Sequence, residues 1–181
     1  MNSDDLLNKR VMHIDTSCKL YENKTTGISY KIVESGEHGG LALSMRLKKE
    51  LRRDIHIEED YARIYAICIY YLIKDKLPLF DLLVICGDEN FIYVKQYLEL
   101  LFSENKEYSI KKIISIGELR EITGKRKLKS YADNSARSYR KRALKSPSRQ
   151  QEGVEIHPIK INYKSIKEKW EEVAGKINKK V

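Results

Sequence analysis

The sequence predicts an α/β protein built on one mixed sheet. Three observations predict it. Three strand-like stretches come first, separated by polar or Gly-rich turns. Two apolar runs, "DLLVIC" and "SIKKIISIGEL", then alternate with helical patterns, an order that calls for parallel crossovers. The 181 residues, 41% of them hydrophobic, are enough to bury one core.

Each element has its own signal. "RVMHIDTSCKLY" and "GISYKIVES" read as strands joined by the polar turn "ENKTTG". "GEHGG" reads as a loop and "LALSMRLK" as a third strand, completing an antiparallel meander. "IEEDYARIYAICIYYLIKD" is a long helix, apolar around most of its circumference and therefore central, and "KLP" ends it. "DLLVIC" is a short continuous apolar run, the mark of a strand buried on both faces. "GDEN" leads into the helix "FIYVKQYLELLFSE", "SIKKIISIGEL" is the fifth strand, and "SYADNSARSYRKRAL" forms a helix. "SPSRQQEG" is a linker before a strand, "VEIHPIKINY", and an amphipathic helix, "KSIKEKWEEVAGKINKK". The expected architecture is a five-stranded sheet, three strands antiparallel and two parallel, flanked by helices in residues 1–146. Residues 147–181 form a strand-and-helix extension packed on the same domain.

Charge narrows the partners. Lys and Arg outnumber Asp and Glu by 35 to 26, a net charge of +9, which points to a polyanion and first of all to nucleic acid. Cys18, Cys68 and Cys86 are odd in number, far apart and set in apolar stretches, so they read as free thiols of a reducing compartment. No Cys/His pair has zinc spacing, and His13, His38, His56 and His157 show no ligand spacing to one another. The start, "MNSDDLLNKR", is polar and unlike a signal peptide. The longest apolar run, Ile64 to Ile73, is half of the ~20 residues a bilayer span needs. The expectation is a cytoplasmic protein without a membrane partner. There is no Gly-rich phosphate loop of the GxGxxG or P-loop type.

The acids carry the sharpest signal. Asp15 falls in the middle of the first strand, where Asp is depleted and a buried carboxylate is costly without a partner. Asp88 follows "DLLVIC" directly, at the end of a parallel strand where α/β sheets place ligands. It could equally cap the next helix. Glu58 begins the central helix on the arc of Tyr61, Tyr65, Ile69 and Leu72, whereas Glu59 shares the charged face with Arg63 and Lys74. Asp133 is an isolated acid in a basic helix.

This ordered set resembles the ribonuclease H-like superfamily over roughly residues 10 to 145. Asp15-Thr16-Ser17-Cys18 matches its first-strand D-G-S-C-like stretch, and "IEED" offers the Glu at the start of its central helix, Glu58 before Glu59 or Asp60. "GDENFIYVKQ" supplies the Asp after its fourth strand, Asp88, and "YADNSARSYRKRA" the last Asp, Asp133. The resemblance implies a nuclease in which Asp15, Glu58, Asp88 and Asp133 are catalytic and bind Mg²⁺ or Mn²⁺. Two such ions about 4 Å apart activate a water and stabilise the leaving oxygen of a phosphodiester. Mg²⁺ takes oxygen ligands, and clustered carboxylates without a cation repel one another.

Bacterial-type ribonucleases H carry a His in the loop before the last acidic helix, and here that loop, "GKRKLKS", has none. The expected substrate is therefore a single strand or free end of DNA or RNA. The alternatives are cleavage of RNA in an RNA–DNA hybrid, a non-catalytic nucleic-acid-binding protein, and an assembly protein whose C-terminal helix docks on a partner. Between Lys125 and Arg149 stand ten basic residues and one acid, Asp133. Lys125, Arg126, Lys127, Lys129, Arg137, Arg140, Lys141 and Arg142 are expected to bind phosphates. The interleaved Tyr131 and Tyr139 offer rings for base stacking, with Tyr139 placed in the binding set.

Overall fold

The computed structural model describes residues 9–57, 60–86, 89–144 and 161–178. The meander consists of β1 (Val11–Thr16), β2 (Thr26–Ile32) and β3 (His38–Leu43). Two helices follow, α1 (Met45–Ile55) and α2 (Tyr61–Ile73), then β4 (Leu82–Ile85) and α3 (Phe91–Leu101). A single turn, α4 (Lys106–Ser109), leads to β5 (Lys112–Ser115) and α5 (Ile116–Thr123), and α6 (Asp133–Leu144) and α7 (Tyr163–Asn178) end the described chain. The sheet order is β3-β2-β1-β4-β5, with β1 central. β1 runs antiparallel to β2 and parallel to β4, β2 antiparallel to β3, and β4 parallel to β5. The expected three antiparallel and two parallel strands are present.

Strand alternation sorts the sheet into two faces. Met12, Ile14, Ile28, Ile32, Leu83 and Ile85 point into the larger core, shared with α2 and α3. Leu82, Val84 and Ile114 point the other way and meet Leu119 of α5 in a smaller cluster. His13 and Asp15 belong by the same alternation to this second face, which α5 and α6 cover. α7 packs across α1, α2 and α3 and buries Ile166 and Val173 completely. The Trp170 indole lies 4.2 Å from the Arg63 guanidinium, and Tyr71 Oη donates to the Ser165 carbonyl at 3.0 Å. The extension helix is thus seated on the domain, while most of the strand expected over "VEIHPIKINY" lies outside the described residues. Among the described residues, no helix is long and apolar enough to cross a membrane.

Several boundaries differ from the sequence reading: β1 ends at Thr16 and β2 at Ile32, short of the stretches expected, and three further differences have a local reason. "LALSMRLK" is not one strand: β3 ends at Leu43 and Ser44 caps α1, accepting from the Leu47 amide at 3.1 Å. The helix then has Leu47, Leu51 and Ile55 at i, i+4 and i+8. "GEHGG" is not wholly loop, because β3 begins at His38. Its glycines serve close approach: a Cβ on Gly39 would lie 2.4 Å from the Tyr30 ring, and one on Gly40 2.4 Å from the Tyr139 ring. The fifth strand stops at Ser115, where a capping box with Glu118 starts α5.

α1 also holds down the β1–β2 loop. Lys48 is buried, and its ammonium donates to Thr26 Oγ1 at 2.6 Å, the Lys24 carbonyl at 2.8 Å and the Glu22 carbonyl at 3.2 Å. Burial lowers its pKa to about 8.

The approach of α6 to the meander sets the geometry of the second face. A Cβ on Gly27 would stand 2.2 Å from the Ala136 carbonyl oxygen and 2.7 Å from the Arg140 amide, both backbone atoms that cannot rotate away. Gly27→Ala is expected to lower stability by about 1–3 kcal/mol, since α6 must move out to admit one methyl. Gly175 in α7 meets nothing within 4 Å, and Gly175→Ala should instead gain about 0.5–1 kcal/mol from helix propensity. Urea unfolding of the two variants beside wild type checks both signs.

Candidate functional site

Asp15 lies one residue before the end of β1, paired across to Ser29 of β2. It is 8% exposed, and no ion pair among the described residues includes it. Its carboxylate accepts from the Thr16 amide at 2.7 Å and has the Ser130 and Cys86 side chains as polar neighbours. Those contacts do not offset its burial. Desolvation raises the Asp15 pKa from 3.8 to about 6, with the nearby charge of Asp133 adding to the rise.

Three chain segments meet at this carboxylate. β1 supplies Asp15 itself. Cys86, just past β4, donates its amide to the Ile14 carbonyl at 2.9 Å, which carries the parallel pairing one residue beyond the strand. The Cys86 thiol is pushed up to about 12 by burial and by Asp15. The Cys86 carbonyl accepts from Tyr65 Oη at 2.6 Å, so the central helix α2 anchors the end of β4 through the core. The turn Ser130–Ala132 and the start of α6 bring the third segment. Ser29 Oγ donates to the Ala132 carbonyl at 3.0 Å, which ties this turn to the strand residue opposite Asp15.

Of the four expected acids, Asp133 is near enough to Asp15 for its charge to raise the Asp15 pKa. Asp133 is the first residue of α6 and forms an ion pair with Arg137 at 3.0 Å. Glu58 and Asp88 lie outside the described residues, as does Glu59. Asp60, the remaining acid of "IEED", caps α2: it accepts from the Arg63 amide at 3.0 Å and from Tyr97 Oη, and pairs with the Arg63 guanidinium at 3.3 Å. The cap of α3 is Asn90, which accepts from the Ile92 amide at 3.1 Å. Among the described residues, no three His, Cys, Asp or Glu side chains gather around one point.

The basic stretch divides into two parts. Lys125, Arg126, Lys127 and Lys129 are exposed in the loop before Ser130, and Lys141 and Arg142 are exposed on α6. Arg137 is engaged by Asp133, and Arg140 is partly buried, its backbone facing Gly27. Tyr139 does not have the orientation expected of a stacking ring. It is 3% exposed and packs on Gly40, because Ala136 and Tyr139 of α6 continue, at i+4 and i+7, the buried side begun by Ala132 just before the helix. Tyr131 lies before the helix and is 51% exposed. The sequence reading passed over Ser130, Cys86 and Tyr65; the small or apolar neighbours of Asp133 and Asp88 gave no separate signal for them.

No protein-family model matches this chain, and no curated protein or solved structure matches it significantly.

The raised pKa of Asp15 has a stability consequence. The folded state favours the protonated acid, so ionising Asp15 costs stability as pH rises from about 4 to about 6. Above that window the full penalty, about 3 kcal/mol, is present. Asp15→Asn should therefore raise the melting temperature at pH 7.5 and leave it nearly unchanged at pH 4. An equal shift at both pH values would mean that Asp15 carries no unfavourable charge in the fold.

Proposed function

We propose that this protein is a metal-dependent nuclease of the ribonuclease H-like class, acting on single strands or free ends of nucleic acid. The observation that carries the reading is Asp15, a buried carboxylate on the central strand with a second carboxylate, Asp133, beside it and no cation paired to it among the described residues. A fold keeps such an arrangement at a cost, and the cost disappears when a cation occupies the site. The mixed sheet of three antiparallel and two parallel strands supports the same reading, as do the exposed basic side chains on either side of Ser130–Asp133.

The Asp15 and Asp133 carboxylates are the kind of oxygen donor that a hard divalent ion takes. Asp15 and Asp133 would hold Mg²⁺ or Mn²⁺, with Glu58 and Asp88 completing the set. The bound ions supply an activated water and a stabilised leaving oxygen. The chain's own residues fix the geometry. The Thr16 amide orients the Asp15 carboxylate, and Tyr65 fastens the end of β4. Lys125, Arg126, Lys127, Lys129, Lys141 and Arg142 attract the phosphate backbone.

A second reading, a nucleic-acid-binding protein without catalysis, is favoured by the Asp133–Arg137 ion pair, in which the guanidinium occupies the acid a metal would need. Cleavage separates the two. Labelled single strands, duplexes and an RNA–DNA hybrid are incubated in Mg²⁺ and in EDTA with wild type, Asp15→Asn and Asp133→Asn purified in parallel. Metal-dependent cleavage of single strands should fall at least about 100-fold in both variants. Salt-dependent binding should persist, with a slope of roughly −0.7 per phosphate contact. Binding without cleavage by wild type establishes the second reading, and cleavage confined to the RNA of the hybrid replaces the single-strand substrate.

A further inference from the structure

The ring of Tyr131 has a position that the nuclease reading does not require. It belongs to the turn that supplies Ser130 to Asp15 and Asp133 to the site. Its neighbours on both sides are buried: Ser130 is 8% exposed and Ala132 0%. The turn is fixed further by the Ala132 amide donating to Ser130 Oγ at 3.2 Å and by Ser29 Oγ on the Ala132 carbonyl. A half-exposed aromatic therefore stands on a backbone held by two hydrogen bonds and by buried neighbours. Its ring meets the buried His13 imidazole edge-on, with centroids 5.0 Å apart and planes at 76°. That contact uses an edge of the pair and fixes the ring's tilt.

His13 and Asp15 lie on the same face of β1, two residues apart, which is about 7 Å along a strand. The Tyr131 ring, in contact with His13, thus stands over the same face of the sheet as the carboxylate. Lys125, Arg126, Lys127 and Lys129 are exposed in the loop that leads directly into it. An aromatic platform beside a basic track is the combination that holds unpaired nucleotides: the charges follow the backbone, and a ring stacks on any base. A paired base inside a duplex has its faces covered by its neighbours and cannot use the platform.

We infer that Tyr131 is the base-stacking platform of the site, selecting a strand with an unpaired nucleobase next to the phosphate at Asp15. The inference rests on the nuclease reading of that site and names the side chain that would recognise its single-stranded substrate. It moves the stacking role from Tyr139, which the core has taken, to a ring that is accessible and pre-oriented. Pre-orientation matters because little side-chain freedom is lost when a base arrives.

Binding of a fluorescein-labelled single-stranded oligonucleotide is measured in Ca²⁺ beside the same strand with abasic sites at successive positions, and cleavage of the intact strand is measured in Mg²⁺. Wild type should prefer the strand with bases. Tyr131→Ala should weaken binding of that strand about 5- to 150-fold and bring it to the level of the abasic strand. Its affinity for the abasic strand should equal that of wild type, and Tyr131→Trp should retain the preference. The melting temperature of each variant confirms folding, and Tyr131→Phe keeps the contact with His13. If Tyr131→Ala binds both strands as wild type does, the inference is overturned while metal-dependent cleavage by wild type keeps the nuclease reading. If wild type stacks through Tyr131 but cuts nothing, the nuclease reading falls and the platform stands. Absence of both binding and cleavage in wild type removes the two together.

Discussion

The close seating of α6 on β2 and β3 is the constraint on which the second face depends. It is possible because two strand positions have no side chain. Gly27 lets the backbone at Ala136 and Arg140 come in, and Gly40 accepts the Tyr139 ring. Seated this way, the start of α6 falls beside Asp15, and the turn before it can hydrogen-bond to Ser29. A helix held farther from the sheet by even one methyl group would separate Asp133 from Asp15. It would also admit water around Asp15, whose raised pKa is mainly a consequence of dryness.

The two faces of the sheet have different tasks. The larger core is apolar and carries stability, with α2, α3 and α7 layered on one another. The smaller one mixes Leu82, Val84 and Ile114 with polar positions at the strand ends. Asp15 and Ser29 are buried among the latter. A polar cluster can be tolerated there because the other face already holds the fold together. Tyr65 links the two: its ring is in the large core and its hydroxyl ends on the Cys86 carbonyl beside the carboxylate.

Much of this was legible in the sequence, and the failures have physical causes. The five strands could be found because their apolar runs are short and bounded by turn residues, and because the fully buried "DLLVIC" requires neighbours on both sides. Asp15 was conspicuous because a carboxylate in that strand has no routine explanation. α1 was misread because the apolar residues of β3 run without a break into Met45 and Leu47; Ser44 was the only punctuation. The glycines of "GEHGG" read as a loop, although two of them serve close contact inside β3. Tyr139 was misjudged for want of helix phase. Once Ala132, Ala136 and Tyr139 are counted as one stripe, the tyrosine faces inward, and the exposed ring is the one ahead of the helix. Glu58 and Asp88 lie outside the described residues, so their half of the expected site rests on the sequence alone.

Lys48 has a consequence of a different kind. Its amine is enclosed, with all three protons directed at oxygens of the β1–β2 loop and Thr26. Amine-acylating reagents that modify surface lysines within minutes cannot reach it while the loop is closed. The rate at which Lys48 becomes acylated therefore reports how often α1 and the loop beside Asp15 come apart. A peptide-resolved labelling time course would read that opening directly at one residue, without any knowledge of a substrate.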